Sequence, residues 1–295
     1  MVKKKIAFII NPNSGTSNKK QFPEIINKEI DTNQFDHKVI FTKYRGHGSK
    51  LAAALVKKGY FAIIAVGGDG TVNEIARELR HTNVALGIIP IGSGNGLARH
   101  LEIPMNFRNA VQMLNFSEII DIDYGIVNDQ PFFCTCGTGF DAYVSLEFAK
   151  GQKRGVMAYF EKMITGYFSY KPQKYHLIGD KIDFTSKAFV LTFANASQWG
   201  NNAYIAPQAS IQDGMIDISV MSNFPVIALP SIALQLFTKT IDKDLFMTTF
   251  RAKEITLLRE TPGPFHYDGE PYQEGTEIKV KIVPDGLKVL VKKRF

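Results

Sequence analysis

The sequence of 295 residues lacks the features that mark membrane-spanning, secreted or zinc-binding proteins. No stretch approaches the ~20 apolar residues that a bilayer crossing requires, and Met1–Lys5 leads into a strand that is too short for a signal-peptide core. The two cysteines, Cys134 and Cys136, stand too close in sequence for an ordinary disulfide, and no His/Cys pair accompanies them at zinc spacing. We expect a cytoplasmic protein in which both cysteines are buried as small apolar side chains.

The chain carries a positive charge that is not concentrated anywhere. Its 35 Lys and Arg residues outnumber 28 Asp and Glu residues, for a net charge of +7. A nucleic-acid groove requires a stripe of basic residues interleaved with exposed aromatics, whereas the basic residues here are spread over the whole chain. We therefore expect no nucleic-acid partner, and a general attraction to anions such as ATP and an acidic membrane surface.

Three turns rich in glycine or asparagine each follow an apolar, strand-like run. Since parallel strands end at the same edge of a sheet, where open α/β sheets bind ligands, these turns predict a nucleotide cleft lined by bare backbone N–H groups. The alternative is a tight connection closed by a capping box between Thr71 and Glu74. The turns are Asn11–Gly15 after Ile6–Ile10, Gly67–Thr71 after Phe61–Val66, and Gly92–Gly96 after Val84–Pro90.

Several well-known nucleotide motifs are missing. No G-x-x-x-x-G-K-[ST] sequence supplies a P-loop lysine, and the H-R-D and D-F-G segments of protein kinases are absent as well. The spacing of Gly92–Gly96 also differs from the G-x-G-x-x-G of dinucleotide-binding folds. The sequence therefore excludes P-loop nucleotide-binding proteins, protein kinases and dinucleotide-binding folds of the G-x-G-x-x-G type.

The predicted pattern of secondary structure changes near residue 120. Before that point strands alternate with helices near Phe22–Ile30, near Ser49–Lys58 and after Gly70, which predicts a doubly wound parallel sheet. After it, short alternating strands predict a mainly antiparallel β-sandwich with helical insertions near residues 143–170 and 226–240. The expected fold class is α/β plus all-β: an N-terminal doubly wound α/β nucleotide-binding domain over residues 1–124 and a C-terminal β-rich domain over residues 125–283.

Further motifs follow the glycine-rich turns in a definite order. They are Asn73-Glu74, Pro90–Asn95, Gly137–Ala142, Ala206-Pro207 leading to Asp213–Asp217, and Tyr267–Glu270. Together with the turns, this set resembles the diacylglycerol/sphingosine lipid-kinase family along the whole chain. The amino-acid sequence of Gly92–Ala98 is somewhat more similar to the sphingosine-kinase branch than to the bacterial diacylglycerol-kinase branch. One loop does not identify the lipid substrate, which is left open.

The resemblance implies an ATP- and Mg²⁺-dependent transfer of the γ-phosphate to the primary hydroxyl of a lipid alcohol, either diacylglycerol or a sphingoid-type lipid. It implies that Asp268 is the general base at the cleft between the domains, that Glu270 faces the nucleotide or its metal, and that residues of about 284–295 return to the first domain. From the residues alone, Asp268-Gly269 is also a strong signal for a plain β-hairpin turn. The implied ATP-binding residues are Asn11, Asn13, Ser14, Gly15, Thr42, Gly67, Gly68, Asp69, Gly70, Thr71, Glu74, Gly92, Ser93, Gly94 and Asn95.

Two other carboxylates leave alternatives open. Asp69 either binds the Mg–phosphate system or orders its own loop by accepting backbone N–H bonds; we favour the first, because a carboxylate between glycines has little to pack against. Asp213 resembles the family's metal ligand in the second domain, where it would bind hydrated Mg²⁺ with the carbonyls of Ser210 and Met215. The alternative at Asp213 is an Asx turn.

Two other functions stay open. NAD kinase has a similar Gly-Gly-Asp-Gly loop and a similar two-domain plan, but this chain departs from it in Asn73-Glu74 and in the Gly92–Asn95 loop. A non-catalytic nucleotide- or lipid-binding module is the second. A carboxylate at every catalytic landmark argues against that module: Asp69, Glu74, Asp213, Asp268 and Glu270.

A helix near residues 155–170 is predicted to be amphipathic. It is either a core helix with a solvated basic face or an interfacial helix that docks on anionic lipid. On the second interpretation we expect peripheral, reversible membrane association beside the lipid substrate; a homodimer is left open. Its apolar residues are Val156, Phe160, Met163, Ile164, Tyr167 and Phe168, and its basic ones Lys150, Lys153, Arg154, Lys162, Lys171 and Lys174.

Overall fold

The structure, a computed structural model, describes residues 2–16, 18–150 and 166–293. The chain divides into two compact units. Unit 1 consists of Met1–Ile122 with Asp285–Phe295, and unit 2 of Asp123–Pro284.

Unit 1 is built on a parallel sheet in the order β2-β1-β3-β4. The last part of the C-terminal strand lies beside β4, where Val289 pairs in parallel with Leu86. The connections alternate with helices, as the βαβ pattern predicts. The elements are β1 (Lys4–Ile10), α1 (Phe22–Glu29), β2 (Phe35–Phe41), α2 (His47–Lys57), β3 (Ala62–Gly67), α3 (Asp69–Leu79), β4 (Ala85–Pro90), α4 (Gly96–His100), α5 (Phe107–Leu114) and the start of β5 (Ser117–Val127).

The apolar pattern of unit 1 explains this arrangement. Every residue of β3 and β4 is buried, as expected of central strands in a parallel sheet. Helix α3 buries Val72, Ile75, Ala76 and Leu79, the face that the helical spacing predicts. The order of strands places a topological switch point between β1 and β3, since β1 pairs with β2 on one side and β3 on the other. The turns after these two strands are therefore positioned for a ligand.

Unit 2 consists of antiparallel strand pairs, which confirms the predicted β-sandwich class. Its longest internal strand, β9, pairs with β8 through its first half and with β7 and β12 through its second half. The elements are β6 (Gln130–Phe132), β7 (Thr135–Gly139), α6 (Phe140–Lys150), β8 (Gln173–Gly179), β9 (Ile182–Ala194), β10 (Gln198–Gly200), β11 (Ala203–Tyr204), β12 (Ile216–Ser222), α7 (Leu229–Thr238), β13 (Met247–Ala252), β14 (Glu254–Arg259), β15 (Gly263–Tyr267), β16 (Glu270–Glu274) and β17 (Glu277–Lys292).

Both helical insertions predicted for the second half of the chain have described parts. The first contains α6 and a helical turn at residues 166–169, while residues 151–165, with most of the predicted membrane helix, lie outside the described residues. The second contains a 3₁₀ turn at Val226–Ala228 followed by α7. No helix in the described ranges is long and apolar enough to span a bilayer.

The two cysteines are free and buried, as predicted. Cys136 is fully enclosed in the apolar core of unit 2 beside Phe193 and Phe265. Burial, together with the nearby carboxylates of Asp268, Asp141 and Glu274, raises the pKa of the Cys136 thiol well above its ordinary value. The thiol is therefore unreactive at neutral pH.

A buried arginine joins three strands of unit 2. The Arg259 guanidinium, at the end of β14, is almost fully buried and donates to the Thr138 hydroxyl and to four backbone carbonyls. These carbonyls belong to Gly263, Pro264, Glu274 and Gly275, at distances of 2.6–3.2 Å. A planar group with five N–H donors satisfies all of these acceptors at once.

We expect Arg259→Lys to lower the free energy of unfolding by about 3 kcal/mol, because one ammonium cannot replace the guanidinium fork and buried acceptors are left unpaired. Urea denaturation measures the change. Arg108→Lys, where the exposed Arg108 side chain pairs with Glu29, is the matched control and should change the value by less than about 0.5 kcal/mol. Equal effects of the two substitutions would contradict the role assigned to Arg259.

Candidate active site

The turns after β1, β3 and β4 meet in unit 1. The Asn11 amide N–H donates to the carbonyl of Val66 at 3.0 Å, and its Nδ2 donates to the Thr71 hydroxyl at 3.0 Å. The Ile91 N–H in turn donates to the carbonyl of Gly67 at 3.0 Å. The three predicted phosphate turns therefore form one continuous surface at the carboxyl ends of the strands.

Glycine is required where these turns touch. A Cβ on Gly92 would stand 2.5 Å from the Cα of Gly68, and a Cβ on Gly15 would stand 1.9 Å from the carbonyl oxygen of Ile91. Gly15 also has a φ of +61°, a conformation that favours glycine. Bare backbone therefore faces bare backbone, which is how a loop approaches a phosphate closely.

Asp69 links the second turn to the third. Its two carboxylate oxygens accept the N–H groups of Asn95 and Gly96, each at 2.8 Å, at the start of α4. These hydrogen bonds order the third turn, a neighbouring loop rather than the loop of Asp69 itself, and the binding of the Mg–phosphate system by Asp69 stays a prediction. The N–H groups of Asn95 and Gly96 stand at the start of α4, where a helix provides no acceptor of its own. Asp69, 26 residues before Asn95, supplies that acceptor.

The Gly92–Asn95 turn is also closed from within. The Asn95 side chain accepts the Gly92 N–H at 3.1 Å and donates to the Gly92 carbonyl at 2.8 Å, while Asn95 itself is left-handed with a φ of +55°. Within the described residues, only Ser93 and Gly94 in this turn have amides without a protein acceptor. The N–H groups of this turn that a phosphate could reach are thus at its tip.

The capping box between Thr71 and Glu74 does not form. Helix α3 begins after Gly68 without a side-chain cap, the Thr71 hydroxyl accepts from Asn11, and a Glu74 oxygen accepts the Gly46 N–H at 2.9 Å. Glu74 therefore holds the turn before α2. Thr42 continues β2, where its N–H donates to the carbonyl of Ile10 at 2.9 Å.

The remaining predicted residues of unit 1 lie along the first turn. Asn13 and Ser14 are held by Asn11: its side chain accepts the Asn13 N–H at 3.0 Å and its carbonyl accepts the Ser14 N–H at 3.3 Å. Gly70 lies in the first turn of α3, where backbone N–H groups carry the positive end of the helix dipole. All fifteen predicted ATP-binding residues thus belong to unit 1. Most lie in its turns and helix starts, while Gly67 ends β3, Glu74 lies within α3 and Thr42 directly follows β2.

Asp268 lies in a hairpin turn of unit 2, between β15 and β16. Asp268 and Gly269 both have positive φ, of 48° and 84°, as a two-residue hairpin requires. The carboxylate also accepts from three consecutive backbone N–H groups, those of Phe133, Cys134 and Thr135, at 2.7–3.2 Å. The turn considered as the alternative is present, and its carboxylate anchors the segment before β7. Glu270 follows at the start of β16.

A buried pair near this turn was not predicted. His266 Nε2 lies 2.9 Å from Oδ2 of Asp141, and both side chains are at least nine-tenths buried. The Asp141 Oδ1 accepts the Ala142 N–H at 2.8 Å at the start of α6. Asp141 stood within the Gly137–Ala142 motif, but no spacing pattern could pair it with a histidine 125 residues away.

Asp213 adopts the Asx turn that was the alternative to a metal site. Its Oδ1 accepts the Met215 N–H at 3.1 Å, and its Oδ2 pairs with the Arg251 guanidinium. Arg251 also lies 3.4 Å from Asp217, whose pKa burial raises to about 6 against the opposing effect of the guanidinium. The Ser210 hydroxyl accepts the Gln212 N–H within the same loop.

This donor set does not fit Mg²⁺. A divalent cation prefers carboxylate and carbonyl oxygens that are not neutralised by a guanidinium. Across residues 2–16, 18–150 and 166–293, no group of three or more His, Cys, Asp or Glu side chains could hold a metal ion.

Comparison with known proteins agrees with this geometry. Residues 5–127 match the diacylglycerol kinase catalytic domain, and residues 134–291 match the YegS C-terminal NAD kinase beta sandwich-like domain. A protein from Yersinia enterocolitica named "Probable lipid kinase YegS-like" is 28% identical over 243 residues, which are 80% of this chain and 79% of that one. A Serratia proteamaculans protein of the same name is 27% identical over 269 residues, 89% and 86% of the two chains.

A solved structure shares the fold. The crystal structure of a diacylglycerol kinase from Bacillus anthracis superposes with a TM-score of 0.73 over 98% of this chain and 97% of that one, at 20% identity. The parallel first unit with its glycine-rich turns and the antiparallel second unit correspond to the two domains that these family models describe. The chain belongs to the diacylglycerol/sphingosine-kinase-like family of lipid kinases, in its YegS-like form.

We expect Gly92→Ala to force the two glycine-rich turns apart, because the new Cβ would stand 2.5 Å from the Cα of Gly68. Overpacking of this kind costs about 1–3 kcal/mol. Amide hydrogen exchange should become faster at Asn95 and Gly96, whose N–H groups Asp69 accepts. The control is Gly275→Ala, where a Cβ meets nothing within 4 Å. Unchanged exchange at Asn95 and Gly96 would show that the two turns do not depend on their close contact.

Proposed function

We propose that the chain is a kinase that uses ATP with Mg²⁺ to phosphorylate the primary hydroxyl of a lipid alcohol, a diacylglycerol or a sphingoid-type lipid. The observation that carries the proposal is the interlocked set of three turns at the switch point of unit 1, in a chain that belongs to a lipid-kinase family. Backbone cradles of this kind, without a P-loop lysine, suit the binding of phosphate oxygens.

The phosphate contacts proposed for unit 1 are those of its turns. The tip of the third turn, Ser93 and Gly94, and the first turn of α3 offer backbone N–H groups, and Asn13 and Ser14 offer polar side chains. ATP with Mg²⁺ would supply the transferred phosphoryl group and neutralise its charge. Asp69, by holding the third turn against the second, acts as a positioning residue for this cradle.

In unit 2 we propose Asp268 as the general base and Glu270 as its neighbour toward the nucleotide or its metal. Asp268 would accept the proton of the lipid hydroxyl as the hydroxyl oxygen bonds to the γ-phosphorus of ATP, while the bond from that phosphorus to the β–γ bridging oxygen breaks and ADP leaves. Three backbone N–H groups hold the Asp268 carboxylate in a fixed position. The hairpin role and the catalytic role are compatible, because a carboxylate has about four lone-pair sites.

The alternative functions are distinguished by product. The second part of the chain matches a domain described as NAD kinase beta sandwich-like, which keeps NAD as a candidate acceptor. With ATP and Mg²⁺ present, we expect a phospholipid product when diacylglycerol or a sphingoid base is offered, and none from NAD. Radiolabelled ATP and chromatography of the products provide the measurement. NADP as the only product would overturn the lipid-kinase proposal, and no product from any acceptor would favour a binding module.

We expect Asp268→Asn to reduce kcat by at least about 10²-fold, the typical cost of losing a general base. The substitution keeps one oxygen for Cys134 and Thr135 but places an NH₂ group opposite the Phe133 N–H, so the melting temperature must be measured beside the rate. The matched control is Asp285→Asn, at another Asp-Gly step with a left-handed aspartate. A rate above about a tenth of wild type, or a loss of rate that only follows a loss of folded protein, would contradict the catalytic role.

We further propose a cytoplasmic enzyme that associates reversibly with membranes, since its acceptor would lie in a bilayer. Most of the predicted interfacial helix, residues 151–165, lies outside the described residues. The end of the helix that the structure describes begins at residue 166. Tyr167 donates its hydroxyl to the carbonyl of Phe224 at 2.7 Å and is half-buried, whereas Phe168 is exposed. One of these two residues therefore anchors the segment and the other faces solvent.

A further inference from the structure

The surface around α7 exposes apolar side chains that no part of the described chain covers. Each of the five is between 48% and 97% exposed, and they flank or belong to one helix. We call this set the α7 surface. It consists of Val226, Ile227, Leu234, Phe237 and Leu245.

The α7 surface is not the outer face of an ordinary surface helix. Helix α7 already buries Ile232 in an apolar core of unit 2, so its inward side is occupied. On its outward side, Pro230, Leu234 and Phe237 recur at i, i+4 and i+7 and are all exposed. Residues 222–238 contain no charged side chain. An exposed apolar patch of this kind marks a surface for a partner or a membrane.

Hydrogen bonds hold the loop of Leu245 against α7. Gln235 Nε2 donates to Oδ2 of Asp244 at 2.8 Å, which ties the middle of α7 to the loop that carries Leu245. The other oxygen of Asp244 accepts the Phe246 N–H at 2.9 Å. Leu245 lies between these two anchored residues and is 97% exposed. The arrangement fixes an apolar tip beside an apolar helix.

The exposed charged side chains next to the α7 surface are those of two lysines. Lys239 directly follows the helix, and Lys243 precedes the loop of Leu245; both are exposed. The two acidic residues nearby, Asp242 and Asp244, are half-buried, and each accepts a side-chain amide, from Gln208 and Gln235 respectively. An apolar surface beside exposed lysines is complementary to an anionic lipid bilayer, whose acyl boundary takes apolar side chains and whose headgroups take lysines.

We propose that the α7 surface docks on an anionic lipid bilayer. The inference rests on the proposed function in one respect, because a lipid acceptor requires the enzyme to contact a membrane. The exposure and the charges of the α7 surface do not depend on that function. A bilayer suits this surface better than a second copy of the chain. A stable protein interface takes about 20–30 residues on each side, whereas insertion of a few apolar side chains gives weak and reversible binding to lipid.

The test is co-sedimentation with vesicles, without ATP or substrate, so that it does not depend on kinase activity. The full chain is mixed with vesicles of phosphatidylcholine alone and with vesicles that contain phosphatidylglycerol. We expect binding to the anionic vesicles that weakens as salt rises, and a loss of at least tenfold in the partition coefficient for Leu234→Glu with Phe237→Glu. The matched control is Val2→Glu with Phe116→Glu, which adds the same charge at exposed apolar positions of unit 1.

Leu245→Glu is the second variant. Its side chain is almost fully exposed, so the substitution should leave the melting temperature unchanged while it lowers vesicle binding. Equal binding of wild type and both α7 variants would overturn the proposal, as would an equal loss in the unit 1 control. A fall in molecular mass of the α7 variants in light scattering, with vesicle binding unchanged, would identify the surface as an interface between copies instead. Failure of the product assay with vesicle binding intact would reject the lipid-kinase function and leave the docking surface standing.

Discussion

The Asp69 carboxylate holds the candidate site of unit 1 together. Its two oxygens accept the N–H groups of Asn95 and Gly96 and thereby join the turn after β3 to the turn after β4. The close approach of Gly68 and Gly92 places these turns in backbone contact, where no side chain fits. A charged acceptor is suited to this task because it forms stronger hydrogen bonds than a neutral one and offers two oxygens to two donors. The position of Ser93 and Gly94, at the tip of the third turn, depends on this link.

In unit 2, too, charged side chains form hydrogen bonds with backbone groups of distant turns. The Asp268 carboxylate collects the N–H groups of Phe133, Cys134 and Thr135, and the buried Asp123 accepts the Gly214 N–H at 2.7 Å. Arg259 is the inverse, a buried cation that serves backbone carbonyls. Buried polar groups that are fully paired specify one arrangement of the backbone, because any other arrangement leaves a group unsatisfied. The turns of both units are therefore fixed by charged side chains.

This explains why several catalytic-looking carboxylates have structural partners. Asp69, Glu74 and Asp213 all accept backbone N–H groups, and Asp213 also binds a guanidinium. A lipid kinase needs its phosphate cradle and its acceptor hydroxyl placed within a fraction of an ångström, since phosphoryl transfer depends on positioning and charge. Carboxylates that order loops contribute to such positioning. Membrane contact, as proposed for the α7 surface, would bring the lipid acceptor to the enzyme.

The sequence by itself determined the fold class, the sites of the turns and the burial of the cysteines. Each of these follows from local information: the period of apolar residues, glycine after a strand, and the apolar surroundings of Cys134 and Cys136. Only the tertiary structure decided what Asp69, Thr71, Glu74 and Asp213 bind. It also decided the pairing of Asp141 with His266 and the exposure of α7. The physical reason is distance along the chain: the partners lie 26 residues away for Asp69, 60 for Thr71 and 125 for Asp141, and no local spacing encodes a hydrogen bond across such separations.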